Sequence, residues 1–302
     1  MHDEIGAVVT APTSLEARLA GAPISWGVSE VPGWGYQLDP ERVLAEMHGL
    51  GLRATEFGPV GFLADDPATR AAQLGRYGMT AVGGFLPILL HDPCHDPSAE
   101  ADAFIDGCLA SGADCMVLAA STGDTGYDDR PALDELGWKT MVAHLDQLAD
   151  HAERRGVTAS LHPHVGTMVE RSSEVVRVLE ASRVGLCLDT GHLTVGQCDP
   201  VSLATTYADR VSHVHLKDVD ATLAQQVITG ELAFQDAVRA GMFCPLGQGD
   251  VDIAALVREL EVAGYDGWYV LEQDVMLDDD GQAADTTEHV RSSLDFLLGT
   301  TP

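Results

Sequence analysis

Four short apolar runs in the second half of the chain each stop on side chains that can bind a metal or move a proton. Residues 157–161 lead into His162-Pro163-His164, and residues 184–188 into Asp189-Thr190-Gly191-His192. Residues 211–214, interrupted by His213, lead into His215-Leu216-Lys217-Asp218, and residues 268–271 into Glu272. Short apolar runs between turn signals read as buried strands. Strands that all end in polar residues place one polar centre at the carboxyl ends of a parallel sheet. Residues i and i+2 of a strand share a face, so His162 and His164 point one way, as do His213, His215 and Lys217.

The rest of the chain repeats the alternation. Strands are predicted at 22–26, 54–57, 81–86, 115–119, 157–162, 184–189, 211–217 and 268–271. Asp39-Pro40 and Asp66-Pro67 open helices, with Asp at the cap and Pro in the first turn. Further helices are predicted through Ile105 and Leu109 and at 136–155, 173–179, 201–208, 253–262 and 289–298. Residues 1–20 read as an N-terminal extension, a tail or a short covering helix. Residues 220–245 read as an insertion of helical character, followed by a Gly-rich loop at 245–250. About eight strand–helix units predict an α/β chain forming one (β/α)8 TIM barrel over residues 1–302, with the helical insertion after strand seven. A doubly wound sheet would carry a glycine phosphate loop after its first strand; here that loop reads Gly27-Val28-Ser29-Glu30 and lacks the fingerprint.

Composition narrows the function. The 302 residues carry a formal charge of −30 and only 17 Lys and Arg. That excludes nucleic acid, whose phosphates need clustered cations, and an anionic membrane surface. No apolar run reaches membrane-spanning length. Asp3 and Glu4 without a long apolar stretch do not make a secretory signal. Cys94, Cys108, Cys115, Cys187, Cys198 and Cys244 form no C-x-x-C pair and read as reduced thiols of a cytoplasmic protein. No G-x-S-x-G nucleophile elbow is present.

Taken singly, each polar strand end has a plain structural reading. A lone His can be a hydrogen-bonded core residue, Asp189 a helix cap, Glu272 a loop acid, and Lys217-Asp218 a surface ion pair. Taken together, His162, Asp189, His215 and Glu272 converge from four successive strands. A mixed His and carboxylate set suits manganese, cobalt, iron or zinc better than calcium. Glu56 ends the second strand and either reaches substrate or holds a loop. Trp26 and Trp34 either wall a sugar-sized pocket or pack in the core.

These residues resemble the xylose isomerase-like, or AP endonuclease family 2, barrel superfamily over residues 22–274. Asp189-Thr190-Gly191-His192 and His215-Leu216-Lys217-Asp218 match its strand-six and strand-seven signatures. A narrower resemblance is to inosose dehydratases. It rests on Ala22-Pro23-Ile24-Ser25-Trp26, His162-Pro163-His164-Val165-Gly166-Thr167, the stretch 230–243, and Pro245-Leu246-Gly247-Gln248-Gly249-Asp250. The resemblance implies a divalent metal on His162, Asp189, His215 and Glu272, with His162 standing where the superfamily has Glu and Asp274 a rival to Glu272. It implies manganese or cobalt first, with zinc, iron or magnesium behind, and brings an association with glutathione that no residue here marks. It also implies a hydro-lyase that dehydrates a keto-cyclitol such as scyllo-inosose. The alternative is an isomerase or epimerase of inososes or keto-sugars. Matching substrate-side residues are His192, Glu56 and Lys217. Glu272 and Lys217 are candidates for the base, the latter if its pKa is lowered, and His164 and His192 for the acid. Apolar outer faces of the helices allow a dimer or tetramer.

Overall fold

A computed structural model describes residues 14–124 and 126–300. Eight parallel strands close into a barrel in the order β1 (Leu19–Gly21), β2 (Ala54–Glu56), β3 (Thr80–Leu89), β4 (Cys115–Ser121), β5 (Thr158–Leu161), β6 (Gly185–Asp189), β7 (Val211–Leu216) and β10 (Tyr269–Leu271), the last pairing back to β1. The predicted (β/α)8 barrel is therefore the fold. A separate antiparallel ribbon joins β8 (Asp218–Val219) to β9 (Phe243–Cys244).

The helices follow from cap chemistry and spacing. Asp39 caps α1 (Pro40–Gly49) through Glu41 N, and Asp66 caps α2 (Pro67–Gly75) through Thr69 N. In each, Pro occupies the first turn, where its missing N–H costs nothing. Helix α3 (Ser98–Ser111) ends on Gly112, in the left-handed conformation that glycine adopts freely. Helix α4 (Glu135–Arg155) buries Met141, Leu145 and Leu148 against the barrel. Each such side chain contributes about 1.5–3 kcal/mol by leaving water. Helices α5 (Ser172–Ala181), α6 (Thr190–Val195) and α7 (Pro200–Thr206) lie between β5 and β7. Helices α8 (Ala221–Ile228) and α9 (Phe234–Arg239) occupy the stretch between the two ribbon strands, and α10 (Ile253–Ala263) and α11 (Ala283–Thr300) complete the outer ring.

Two local expectations are corrected. The first strand is not 22–26 but β1, and 19–21 therefore belongs to the barrel rather than to an N-terminal extension; residues 1–13 lie outside the described residues. The reason is Pro23, which has no N–H to give the ladder and instead opens a 3-10 turn, Pro23–Trp26, while Ala22 N still reaches Leu271 O at 3.0 Å. Trp26 is fully buried with Nε1 donating to Glu46 at 2.8 Å, so it packs in the core. Trp34 does line the cavity at the barrel mouth. All six cysteines are free thiols.

Candidate active site

The carboxyl ends of β5, β6, β7 and β10 bring the predicted residues together. Strand register sets Asp189 opposite His215, and His162 N bonds Leu118 O at 2.7 Å as the chain leaves β5. Asp189 is both the last residue of β6 and the cap of α6. Its Oδ1 accepts from His192 N at 2.8 Å. Its Oδ2 is left to accept from His162 Nε2 at 3.1 Å and Lys217 Nζ at 2.8 Å. Glu272 Oε2 lies 2.6 Å from His215 Nδ1 and also accepts from Lys217 Nζ. One ligand-type atom from each of His162, Asp189, His215 and Glu272 falls within 4.8 Å of the others. Thr190 Oγ1 fixes this end of β7 by accepting from Lys217 N at 2.8 Å and donating to Lys217 O at 2.6 Å.

The donor set fits a divalent cation. His215 Nε2 donates to Glu56 Oε1 at 2.9 Å, which leaves Nδ1 as the free ring nitrogen. That Nδ1 is buried and, despite its proximity to Glu272, has no hydrogen-bond partner among the described residues; His162 Nδ1 is likewise unpartnered. Buried polar atoms without partners are rare and call for an explanation such as a bound ion. Two imidazoles and two carboxylates match the preferences of the borderline transition metals.

Electrostatics separate the site into two parts. At the strand ends, burial alone would raise the Asp189 carboxyl, but the Lys217 ammonium and the neighbouring imidazoles hold it well below the ordinary range. Burial also opposes ionisation of Glu272, yet His215 and Lys217 push its pKa down. Lys217 is the correction here. Burial would lower its pKa, but Asp189, Asp274 and Glu272 outweigh that and raise it, so in the metal-free protein it stays an ammonium and the lowered pKa that a Lys217 base requires is not met. Asp274, 3.4 Å from Lys217 Nζ, is pushed up to about 7 by burial and by the nearby Glu272 and Asp189 charges, against the pull of Lys217.

The second part is a wall of stacked rings. His164 and His192 lie with centroids 3.7 Å apart and planes inclined by 34°. His164 Nδ1 donates to Val165 O at 2.7 Å, whereas His192 Nδ1 accepts from Val165 N at 3.5 Å. The two rings therefore hold opposite tautomers. His192 carries its proton on Nε2, which is buried, unpartnered, and 4.0 Å from Asp274 Oδ2. Burial drives both rings toward the neutral form, His164 down to about 3 and His192 well below the ordinary value. Tyr127 packs on His164 at 5.7 Å, and Phe234 and Phe243 each approach His192 to 5.9 Å. Asp218 holds the ribbon in place by accepting from the backbone N–H groups of Val219, Gly247, Gly249 and Val251 at 2.8–3.0 Å. Gly191 permits the close contact, since a Cβ there would meet Phe243 at 2.8 Å and Lys217 at 2.7 Å.

A cavity of about 1120 Å³ opens onto both parts, lined in its depth by His162, His164, His192, Lys217, Glu272 and Asp274. Glu56 also borders it, but its Oε1 is occupied by His213 and His215, each at 2.9 Å. Asp274 was visible in the sequence only as a rival to Glu272. The aromatic wall of Tyr127, Phe234 and Phe243 was not predicted as a wall, because its parts come from the loop after β4, from α9 and from β9.

A closed barrel with a His and carboxylate cluster at its C-terminal mouth defines a barrel enzyme with a metal-capable centre. The chain belongs to the xylose isomerase-like TIM barrel family, whose model matches residues 41–297. It is 32% identical over 268 residues to an inosose dehydratase of Geobacillus kaustophilus, covering 84% of this chain and 86% of that protein. It is 32% identical over 269 residues to the rhizopine catabolism protein MocC of Rhizobium meliloti, covering 85% of this chain and 82% of that protein. A solved structure of the IolI protein with a bound zinc atom superposes with a TM-score of 0.66 at 15% identity, covering 94% of this chain and 97% of that one. The inosose dehydratase-like family membership and the hydro-lyase class of enzyme expected from the sequence are thus borne out. Among the described residues no helix is long and apolar enough to cross a membrane.

Proposed function

We propose that this chain is a divalent metal-dependent hydro-lyase that dehydrates scyllo-inosose, a keto-cyclitol, to a trihydroxycyclohexanedione in inositol catabolism. The observation that carries the reading is the convergence of His162, Asp189, His215 and Glu272 at the mouth of a barrel whose relatives include inosose dehydratases. These four residues would hold the cation, manganese or cobalt before zinc, iron or magnesium. When bound, it supplies Lewis-acid polarisation of the ketone and an adjacent hydroxyl. An uncharged polyol suits a cavity bordered by Glu30, Asp65, Glu100 and Asp124. Reduced thiols and the acidic surface go with a cytoplasmic enzyme, and the helix faces with a homo-oligomer.

The chain's own groups divide the work of losing water. Glu272, kept ionised, takes the proton from the carbon beside the ketone. Lys217, kept as an ammonium, donates to the oxygen on which negative charge grows. Asp274, its carboxyl pushed up to about 7, gives its proton to the departing hydroxyl, so the broken C–O bond leaves as water. His192 stays neutral, and its Nε2–H, 4.0 Å from Asp274 Oδ2, donates a hydrogen bond to the leaving oxygen. His164 orients His192 by stacking, and Tyr127, Phe234 and Phe243 keep bulk water from the pair.

Mass spectrometry of scyllo-inosose incubated with the Mn²⁺-loaded protein, beside an EDTA-treated control, tests this. The expected result is loss of one water only with the metal. A rearranged product of unchanged mass would replace the reading with an isomerase or epimerase, and no turnover of scyllo-inosose would remove the substrate assignment.

A further inference from the structure

Glu56 and His213 take no part in the chemistry just described, yet both are buried in the barrel interior against a proposed ligand. Glu56 ends β2 and reaches across the barrel to β7. Its Oε1 accepts the Nε2–H of His213 and of His215, both at 2.9 Å. The two rings lie 5.2 Å apart at 74°, so one carboxylate oxygen meets both N–H groups. A ring nitrogen committed as a donor fixes the tautomer and leaves the other nitrogen as a bare lone pair. In His215 that other nitrogen is Nδ1, the atom 2.6 Å from Glu272 Oε2, 3.6 Å from Asp189 Oδ2, and without a hydrogen-bond partner.

We propose that Glu56 is a positioning residue of the metal centre rather than a substrate contact. It sets the tautomer and ring orientation of His215, and His213 in turn holds the Glu56 carboxylate in place. This rests on the metal reading above. Outer carboxylates of this kind raise ligand basicity and typically alter metal affinity about 10–100-fold when replaced. A substrate contact would act on KM instead.

The test is Mn²⁺ affinity by chelator competition, with no substrate present, on the unaltered chain and on Glu56→Gln and His213→Gln. Gln keeps the length of Glu56 and an acceptor oxygen but loses the charge. Weakening of about 10–100-fold is expected for Glu56→Gln, with a smaller loss for His213→Gln. At saturating Mn²⁺, KM for scyllo-inosose in Glu56→Gln should stay within about twofold of the parent. Thermal melting checks the fold, and if Glu56→Gln does not fold, His213→Gln reads the same link from its other end. Parent-like Mn²⁺ affinity in a folded Glu56→Gln, or in His213→Gln where that is the variant that folds, would overturn the proposal. An unaltered chain that binds no Mn²⁺ would overturn the metal reading itself and this inference with it.

Discussion

Two groups of histidines share one barrel mouth and differ in charge: in the metal-free protein one is held protonated and the other neutral. His213 and His215 lie at the end of β7, and His164 and His192 form the wall beside the cavity. His192, His213 and His215 are equally buried, at 0–1% exposure. Burial disfavours the charged imidazolium in all of them. In the β7 pair the neighbouring cysteines and carboxylates together reverse it. Against burial, the Cys115 thiol and Glu56 raise His213 to about 9, and Cys187, Glu272 and Glu56 raise His215. In the wall pair the rings stack on each other among Tyr127, Phe234 and Phe243, with no carboxylate of the described residues within hydrogen-bond distance of either, and both stay neutral. The comparison teaches that depth does not decide the role of a histidine here; what its second nitrogen touches does. In the metal-free protein one pair is held protonated, and His215 would give up its Nδ1 proton to a cation; the other pair stays neutral beside Asp274.

Asp189 is where the two groups meet, since its Oδ2 lies 3.6 Å from His215 Nδ1 and its Oδ1 takes the backbone N–H of His192. Asp189→Asn should therefore break both at once and has the largest expected effect. Turnover of scyllo-inosose should fall by at least about 10³-fold, the scale of losing a preorganised electrostatic partner. Circular dichroism should show the barrel retained. Undiminished turnover in this variant would remove Asp189 from the centre of the site.

Asp274 should give the next effect, in the opposite sense for stability. Its folded pKa, raised from 3.8 to about 7, means the folded chain holds a proton that the unfolded chain releases. Its stabilising contribution is complete below about pH 4 and is lost as the pH rises through 7. Asp274→Asn keeps the shape without the charge. In the metal-free protein it should raise the melting temperature at pH 8 more than at pH 5, by the equivalent of a few kcal/mol at most. The same substitution should lower kcat, because the departing hydroxyl loses its acid. A melting gain equal at both pH values would show that Asp274 ionises normally.

Much of this was written in the sequence, and the rest was hidden for definable reasons. The four strand ends were legible because each polar residue follows an apolar run, a local pattern. The start of the barrel was misplaced because residues 22–26 look apolar enough for a strand, while Pro23 moves the ladder back to 19–21. Helix α6 was legible only as the plain reading of Asp189 as a helix cap, because its 6 residues are too few to show a helical period. The link from Glu56 to His213 and His215 spans 157 and 159 residues of sequence, so only barrel closure reveals it. Lys217 was a candidate base on condition that its pKa is lowered; the distances to Asp189, Glu272 and Asp274, which raise it, came only with the structure. Asp218, read as half of a surface ion pair, is instead the buried acceptor for four backbone N–H groups.

The smallest effect separates the two histidine groups directly. His164 has a folded pKa near 3 against 6.5 unfolded, so the folded chain binds fewer protons between those values. Its contribution to stability is complete above pH 6.5 and is lost on acidification toward 3. His213 does the reverse: with a folded pKa near 9, its contribution is complete below 6.5 and is lost as the pH rises through 9. His164→Gln should therefore flatten the acid limb of the stability profile, by about 1–2 kcal/mol at pH 5 after allowance for its partly open position at the mouth. His213→Gln should leave that limb alone and flatten the alkaline one. Urea denaturation of the metal-free protein from pH 5 to 9 reads both. If the two variants flatten the same limb, the carboxylate is not what divides these rings, and the division of labour drawn from Glu56 fails with it.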